Sequence, residues 1–266
     1  MFRSFVISKI GVDTSWKLVW ITGGGSGIGL AVAKQLVRKG TKVIISGRHE
    51  QALLECCDQL NQPTLSGSLH PLVCDVTSLE SVQAAWQMLI QNYGIPDLVL
   101  LNAGNHQPVT LENFSPEPFQ QLMAVNYFGV VNCLSVLLPD LVSRQRGQIG
   151  VVASVAGYSG LPTAAAYGGS KAALINTCEA LYPELLEQGI QLSLINPGFV
   201  KTPLTDKNTF AMPFLVDADR AATVIIRGLQ LKRFEIAFPR VFVMLLKVLR
   251  LLPYSLYFRL TRKLLP

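Results

Sequence analysis

A chain of 266 residues that is 50% hydrophobic and 15% charged is long enough to bury a sizeable core and too apolar to be disordered. Its five cysteines (Cys56, Cys57, Cys74, Cys133, Cys178) form no CxxC pair, and His49, His70 and His106 have no ligand spacing. This argues against a metal site or a disulfide framework, and for reduced thiols in a cytosolic compartment. The formal charge of +6 sits in the tail: after Glu235 there is no acid and there are six bases, Arg240, Lys247, Arg250, Arg259, Arg262 and Lys263, while the rest of the chain is balanced.

Residues 1–16 read as a short arm, not a signal peptide, because Lys9 and Asp13 interrupt the apolar run. LVWIT at 18–22 is an apolar strand ending in glycines, and a helical pattern follows from Ile28 to Arg38. Between them lies TGGGSGIG at 22–29. Glycines there let backbone amides approach a pyrophosphate while the helix N-terminus faces its charge, so a nucleotide is expected; a tight turn alone is the plainer reading. KVIISG at 42–47 is a buried strand. It runs into Arg48 where an acid would select NAD, and a guanidinium suits the 2′-phosphate of NADP; otherwise Arg48 is a solvated loop base. QALLECCDQL at 51–60 is a helix and HPLVCDV at 70–76 a third strand. Asp75 at its end is placed to accept from an adenine amino group or to cap the next element. Residues 78–92 form a helix opened by Ser78, with Glu80 in its first turn.

PDLVLLNAG at 96–104 is a fourth strand running into a turn, 117–142 a long helix, and GQIGVVAS at 147–154 a fifth strand. A second long helix covers 164–187, IQLSLINPG at 190–198 is a sixth strand, 217–231 a helix and FEIAF at 234–238 a last strand. The strands lack clean alternation, as when helices cover both faces. The expected fold is α/β, a single Rossmann-type domain with a doubly wound parallel sheet of about seven strands. No apolar run reaches the ~18 residues of a spanning helix.

SVAGYSGLPTAAAYGGSK at 154–171 carries a hydroxyl (Ser154), a phenol (Tyr167) and an ammonium (Lys171). On a helix beginning near Thr163, Tyr167 and Lys171 lie roughly 6 Å apart on one face. A phenol has pKa near ~10; a neighbouring ammonium lowers it, and a phenol so tuned exchanges protons with an alcohol or ketone. A surface Tyr–Lys pair is the bland alternative.

Together these residues resemble the short-chain dehydrogenase/reductase family over about 17–238. The cofactor turn TGxxxGxG matches Thr22, Gly23, Gly27 and Gly29. NAG matches Asn102, Ala103 and Gly104, the active-site asparagine matches Asn126 in AVNYFG, and Ser154 precedes Tyr167 of YxxxK. NPGFVKT at 196–202 matches the Pro-Gly motif, with Thr202 placed to reach the nicotinamide carboxamide. The resemblance implies that Tyr167 is the general acid in reduction and the base in oxidation. It implies that Lys171 lowers the phenol's pKa and holds the nicotinamide ribose, that Ser154 holds the substrate carbonyl, and that Asn126 holds a water in a relay to Lys171. It implies a cofactor site of Gly23, Ser26, Gly27, Ile28, Gly29, Arg48, Asp75, Val76, Asn102, Ala103, Gly104, Tyr167, Lys171, Pro197, Gly198, Val200 and Thr202. It also implies a homodimer or homotetramer through the two long helices.

PLTDKNTFAMPFLV at 203–216 falls where the family has its substrate loop. Phe210, Met212, Phe214 and Leu215 suit a lipid-like carbonyl, or pack on the core. The tail has no clear family counterpart. Residues 241–252 are expected as a helix apolar over most of its surface, stopped by Pro253, and 254–265 as a second, with Tyr254, Leu256, Tyr257, Phe258 and Leu260 among its bases. The pair is expected on an anionic headgroup layer, where each base contributes ~1 kcal/mol, as a lid over the substrate mouth, or as a subunit arm. The expected function is interconversion of a hydrophobic alcohol and its ketone or aldehyde with NADP(H) in preference to NAD(H), in the cytoplasm with peripheral membrane contact. The alternative is a non-catalytic NADP-binding redox sensor or scaffold. Nucleic acid is not expected as a partner, because the bases lack interleaved aromatics on a strand.

Overall fold

The computed structural model describes residues 16–62, 64–207 and 212–264, so the expected N-terminal arm up to residue 15, Phe210 and the last residue of the expected helix over 254–265 lie outside the described residues. Seven strands form one parallel sheet: β1 (Leu18–Thr22), β2 (Lys42–Gly47), β3 (Ser68–Val73), β4 (Leu98–Leu101), β5 (Gly147–Val152), β6 (Ile190–Pro197) and β9 (Glu235–Phe238). Their order is β3-β2-β1-β4-β5-β6-β9. A small second sheet pairs β7 (Val200–Lys201) with β8 (Val216–Asp217), which no pattern in the sequence announced.

Every residue of β1 is buried, because helices cover both faces. Leu18 and Trp20 point into one core, with α3 (Leu79–Tyr93), α5 (Gly129–Ser143) and α6 (Ala165–Glu187). Val19 and Ile21 point into the other, with α1 (Gly27–Arg38), α2 (Glu50–Leu60) and α7 (Ala218–Gln230). The buried Trp20 indole stays satisfied by donating to Ser46 Oγ at 3.0 Å.

The expected third, fifth and sixth strands end early, and the fourth runs into its turn after Leu101. β3 stops at Val73, and Asp75 turns the chain instead: its Oδ1 accepts from Thr77 N at 3.0 Å and Thr77 Oγ1 at 2.8 Å. β4 stops at Leu101 because the amides of Asn102 and Ala103 leave the sheet to donate to Thr22 Oγ1, at 3.0 and 3.2 Å. The helix expected over 117–142 is three pieces: α4 (Pro116–Met123), a π turn (Ala124–Phe128) and α5. At the junction Gly129 packs on Val76 so closely that a Cβ would stand 2.7 Å from Val76 Cγ2. This run, Pro116–Ser143, is long and apolar enough to cross a membrane, which corrects the expectation that nothing in the chain reaches that length. It is a core helix here, with Leu134, Leu137 and Leu141 buried among the strands.

The tail forms α8 (Arg240–Arg250) and α9 (Tyr254–Thr261) and folds back on the molecule. Val243 and Leu246 join the core, and the Tyr257 hydroxyl donates to Gly160 O.

Candidate functional site

The strand order reverses between β1 and β4, which pair from Val19 with Leu98 to Thr22 with Leu101. Chains leave such a switch point in opposite directions and open a crevice at the strands' carboxyl ends. A cavity of about 330 Å³ lies there, walled by residues that follow β1, β4, β5 and β6.

The glycine turn makes one wall. Gly23 has φ +63°, and a Cβ on it would stand 2.8 Å from Ala103 Cα, so both backbone conformation and close approach require glycine. Asn102 straps the turn by donating from Nδ2 to Thr22 O at 3.1 Å and Gly23 O at 3.0 Å. Ser26 is the N-cap of α1 and makes no side-chain cap hydrogen bond. Its hydroxyl and the first amides of the helix therefore remain available to an anion, in a cavity wall shared with Gly27 and Ile28. Gly29 lies behind the turn: a Cβ there would meet Asn102 Nδ2 at 2.6 Å.

Arg48 and Asp75 follow β2 and β3, away from the cavity wall. Arg48 is exposed. Burial raises the pKa of the Asp75 carboxyl, but hydrogen bonds from Thr77 and the charge of Arg48 outweigh it and hold the group below its usual range. Val76 is buried, and its carbonyl accepts from Asn132 Nδ2 at 2.9 Å.

Ser154 follows β5, where Oγ accepts from Ala156 N at 3.1 Å and donates to Pro197 O at 3.4 Å. The short turn Val155–Gly157 presses on α6, since a Cβ at Gly157 would stand 2.8 Å from Ala172 N. This brings Ser154 to the face of α6 that carries Tyr167 and Lys171, and all three line the cavity. Lys171 is buried and donates from Nζ to Val152 O at 2.8 Å, with Nζ 5.8 Å from the centre of the Tyr167 ring. Burial pulls its pKa down to about 8. Tyr167 goes the other way: burial pushes its phenol above the ordinary value, and the hydrogen bond with Ser154 only partly opposes this. The expectation that the neighbouring ammonium makes this phenol more acidic is therefore corrected for this state of the site. Withdrawal from water dominates, and the ammonium is turned toward a carbonyl.

Asn126 is fully buried in the π turn and does not line the cavity. Its Oδ1 accepts from Asn105 N at 2.7 Å, and its Nδ2 donates to Asn105 O at 3.0 Å and Ser170 Oγ at 2.9 Å. The side-chain amide thus holds the loop after β4. Gly104 lies between Asn126 and Lys171: a Cβ on it would stand 3.2 Å from Asn126 Oδ1 and 3.5 Å from Lys171 Nζ.

Ala103, Gly104, Pro197, Gly198, Val200 and Thr202 line the cavity as expected. Asn105, Ser170, His106 and Thr205 were not anticipated. His106 meets Tyr167 edge-on at 4.7 Å, and Thr205 Oγ1 accepts from Thr202 N at 3.0 Å. Asn105 adjoins the NAG motif and was within reach of a local reading, whereas the pairing of Asn126 with Ser170 across 44 residues was not.

Beyond Gly198 the site meets the tail. A Cβ on Gly198 would stand 2.9 Å from Phe242 Cδ1 of α8. Glu235 anchors that helix: its Oε1 accepts from Tyr158 at 2.6 Å and Asn196 at 3.2 Å, and its Oε2 pairs with Lys247.

Comparison with known proteins agrees with this geometry. A family model described as short chain dehydrogenase matches residues 17–212. An uncharacterized oxidoreductase of Myxococcus xanthus is 31% identical over 252 residues, 95% of this chain and 99% of that one. Dehydrogenase/reductase SDR family member 7B of Xenopus tropicalis is 30% identical over 71% of this chain and 62% of its own. Among solved structures, a short chain dehydrogenase/reductase of Burkholderia phymatum in complex with NAD superposes with a TM-score of 0.80, at 25% identity over 89% of this chain and 93% of that one. A short-chain dehydrogenase of Sphingobium yanoikuyae in complex with NADPH shares the fold with a TM-score of 0.76, at 22% identity over 84% and 88%.

Proposed function

From the premise that the chain belongs to the short-chain dehydrogenase/reductase family, we propose that it interconverts a hydrophobic alcohol and its ketone or aldehyde, using NADP(H) in preference to NAD(H). The observation that carries the reading is the single cavity onto which the glycine turn, Ser154, Tyr167 and Lys171 all open. The residues fit a nicotinamide dinucleotide. Gly23 and Gly27 present no side chain, and the uncapped first turn of α1, with Ser26, seats a pyrophosphate. Asn102 keeps that seat rigid, and Thr202 and Gly198 wall the nicotinamide end.

When bound, the nicotinamide supplies or takes up the hydride. Tyr167 gives its phenolic proton to the carbonyl oxygen in reduction and takes one from the hydroxyl in oxidation. Ser154 holds that oxygen beside the phenol. Lys171 holds the nicotinamide ribose, and its charge, 5.8 Å from the centre of the Tyr167 ring, favours the phenolate against the effect of burial. Asn126 acts through Asn105, fixing the loop that follows the NAG residues.

Several finer features belong to the same reading. The exposed guanidinium of Arg48 takes the 2′-phosphate, with Asp75 and Val76 on the adenine side. Phe214 and Leu215, both exposed in the loop before β8, favour an apolar substrate. Exposed Phe128 and Leu186 on the two long helices suit pairing with a second copy, and the basic apolar tail suits an anionic membrane surface.

The test is Tyr167→Phe. Turnover is expected to fall by at least ~100-fold with NADPH binding retained in a direct titration. Unchanged turnover overturns the reading, and the non-catalytic scaffold then takes its place.

A further inference from the structure

Helix α8 has two apolar faces. One buries Val243 and Leu246 in the core. On the other, Val241, Met244, Leu245 and Val248 are between 56% and 66% exposed, at the i, i+3, i+4, i+7 spacing of a single helical face. Leu251 follows at 83% exposure. On α9, Tyr254 and Phe258 are exposed one turn apart, their rings stacked with centres 5.5 Å apart. Single exposed leucines are ordinary, but a face sustained over two successive helices marks a surface with a partner. Arg240, Arg250, Arg259, Arg262 and Lys263 are exposed on the same two helices and the turn that follows them, with no acid among them. The sixth base, Lys247, is held by Glu235.

This charge identifies the partner. A second copy docked face to face would bring like charge against like charge. An anionic lipid surface satisfies both features: headgroups meet the bases, and acyl chains meet the apolar face. The same helix packs on the cavity wall. Phe242 packs on Gly198 of the cavity wall, and its ring stands 5.7 Å from that of Phe199 and 5.9 Å from that of Phe214.

We propose that the exposed faces of α8 and α9 seat on an anionic bilayer, and that the cavity, whose wall residue Gly198 packs on Phe242, draws an apolar substrate from that bilayer. The second clause rests on the reading of the site as a carbonyl reductase; the first does not. The test uses the full chain and vesicles of phosphatidylcholine, alone or with phosphatidylglycerol. The protein is expected to float with the anionic vesicles, to be released as salt is raised, and to stay down with the neutral ones. Met244→Glu/Val248→Glu is expected to lose at least ~10-fold of the floated fraction with unchanged thermal unfolding. Failure of the parent protein to float, equal flotation on both vesicles, undiminished flotation of the double variant, or a vesicle-free dimer that the double variant breaks would each overturn the docking.

For delivery, NADPH oxidation is followed with a long-chain methyl ketone in the vesicles and a short one in water. The double variant is expected to lose rate on the first and keep it on the second. Equal rates on the first, or no turnover of it by either protein, overturns delivery. Flotation needs no catalysis, so it stands or falls separately from Tyr167→Phe.

Discussion

Lys171 is buried against one carbonyl, Val152 O, and its pKa falls from 10.5 to about 8. The folded chain thus releases this proton before the unfolded chain does. Between those two values the unfolded state binds more protons, so stability rises with pH across that window. At neutral pH the buried charge works against folding by roughly 3 kcal/mol. Replacing it by methionine removes that cost but orphans the Val152 carbonyl, a penalty of about 1–3 kcal/mol. Lys171→Met is therefore expected to unfold at the parent temperature or slightly above while losing turnover, read by calorimetry and NADPH oxidation. A purely structural lysine would show the reverse pattern. In the parent, kcat/KM for reduction is expected to fall as pH rises through about 8, because the free enzyme then loses the ammonium. Tyr167, raised by burial, stays protonated beyond that point and sets no lower limit.

Among the elements, the π turn and α8 each show a local pattern bent by a distant contact. The sequence over 117–142 reads as one long helix. The π turn within it carries Asn126 to the backbone of Asn105 and to Ser170, contacts set by how α6 and the loop after β4 come together. Helix α8 is tied down through Glu235. Burial raises this carboxyl's pKa, but hydrogen bonds from Lys247, Tyr158 and Asn196 outweigh it and leave the group below its usual value. A carboxyl depressed in the fold stabilises above its unfolded pKa of ~4.3, and that contribution is lost as pH falls through the folded value. The tail is thus expected to loosen as the pH falls below ~4.3, detected as faster cleavage by pepsin within 240–264. Glu235→Gln keeps the shape but not the charge, and is expected to show the loosened tail already at neutral pH, as faster proteolysis after Arg250 and Arg259. Indifference of the cleavage rate to this change would remove Glu235 as the anchor.

Across the whole molecule, the order β3-β2-β1-β4-β5-β6-β9 spreads the crevice along the carboxyl edge of the sheet. Arg48 follows β2 on one side of the switch point, while Ser154 and Tyr167 lie on the other, at the end of β5 and on α6. The residue proposed for cofactor choice therefore stands apart from those proposed for proton transfer. Arg48→Glu is expected to raise KM for NADPH by ~10-fold or more and to favour NADH, with the pH dependence of kcat unchanged. An unchanged preference would make Arg48 a solvated loop base. The sequence alone determined whatever depends on neighbours in the chain. Buried parallel strands showed as unbroken apolar runs, the nucleotide turn as glycines between a strand and a helix, and the Tyr167–Lys171 face as a four-residue spacing. Only the tertiary structure decided that Asn102 straps the glycine turn, that Asn126 is consumed by Asn105 and Ser170, that the Tyr167 phenol is raised in pKa and not lowered, and that α8 keeps a second apolar face outside. Each of these depends on which groups remote in sequence exclude water from, or donate a hydrogen bond to, a given atom, and chain spacing carries no record of that.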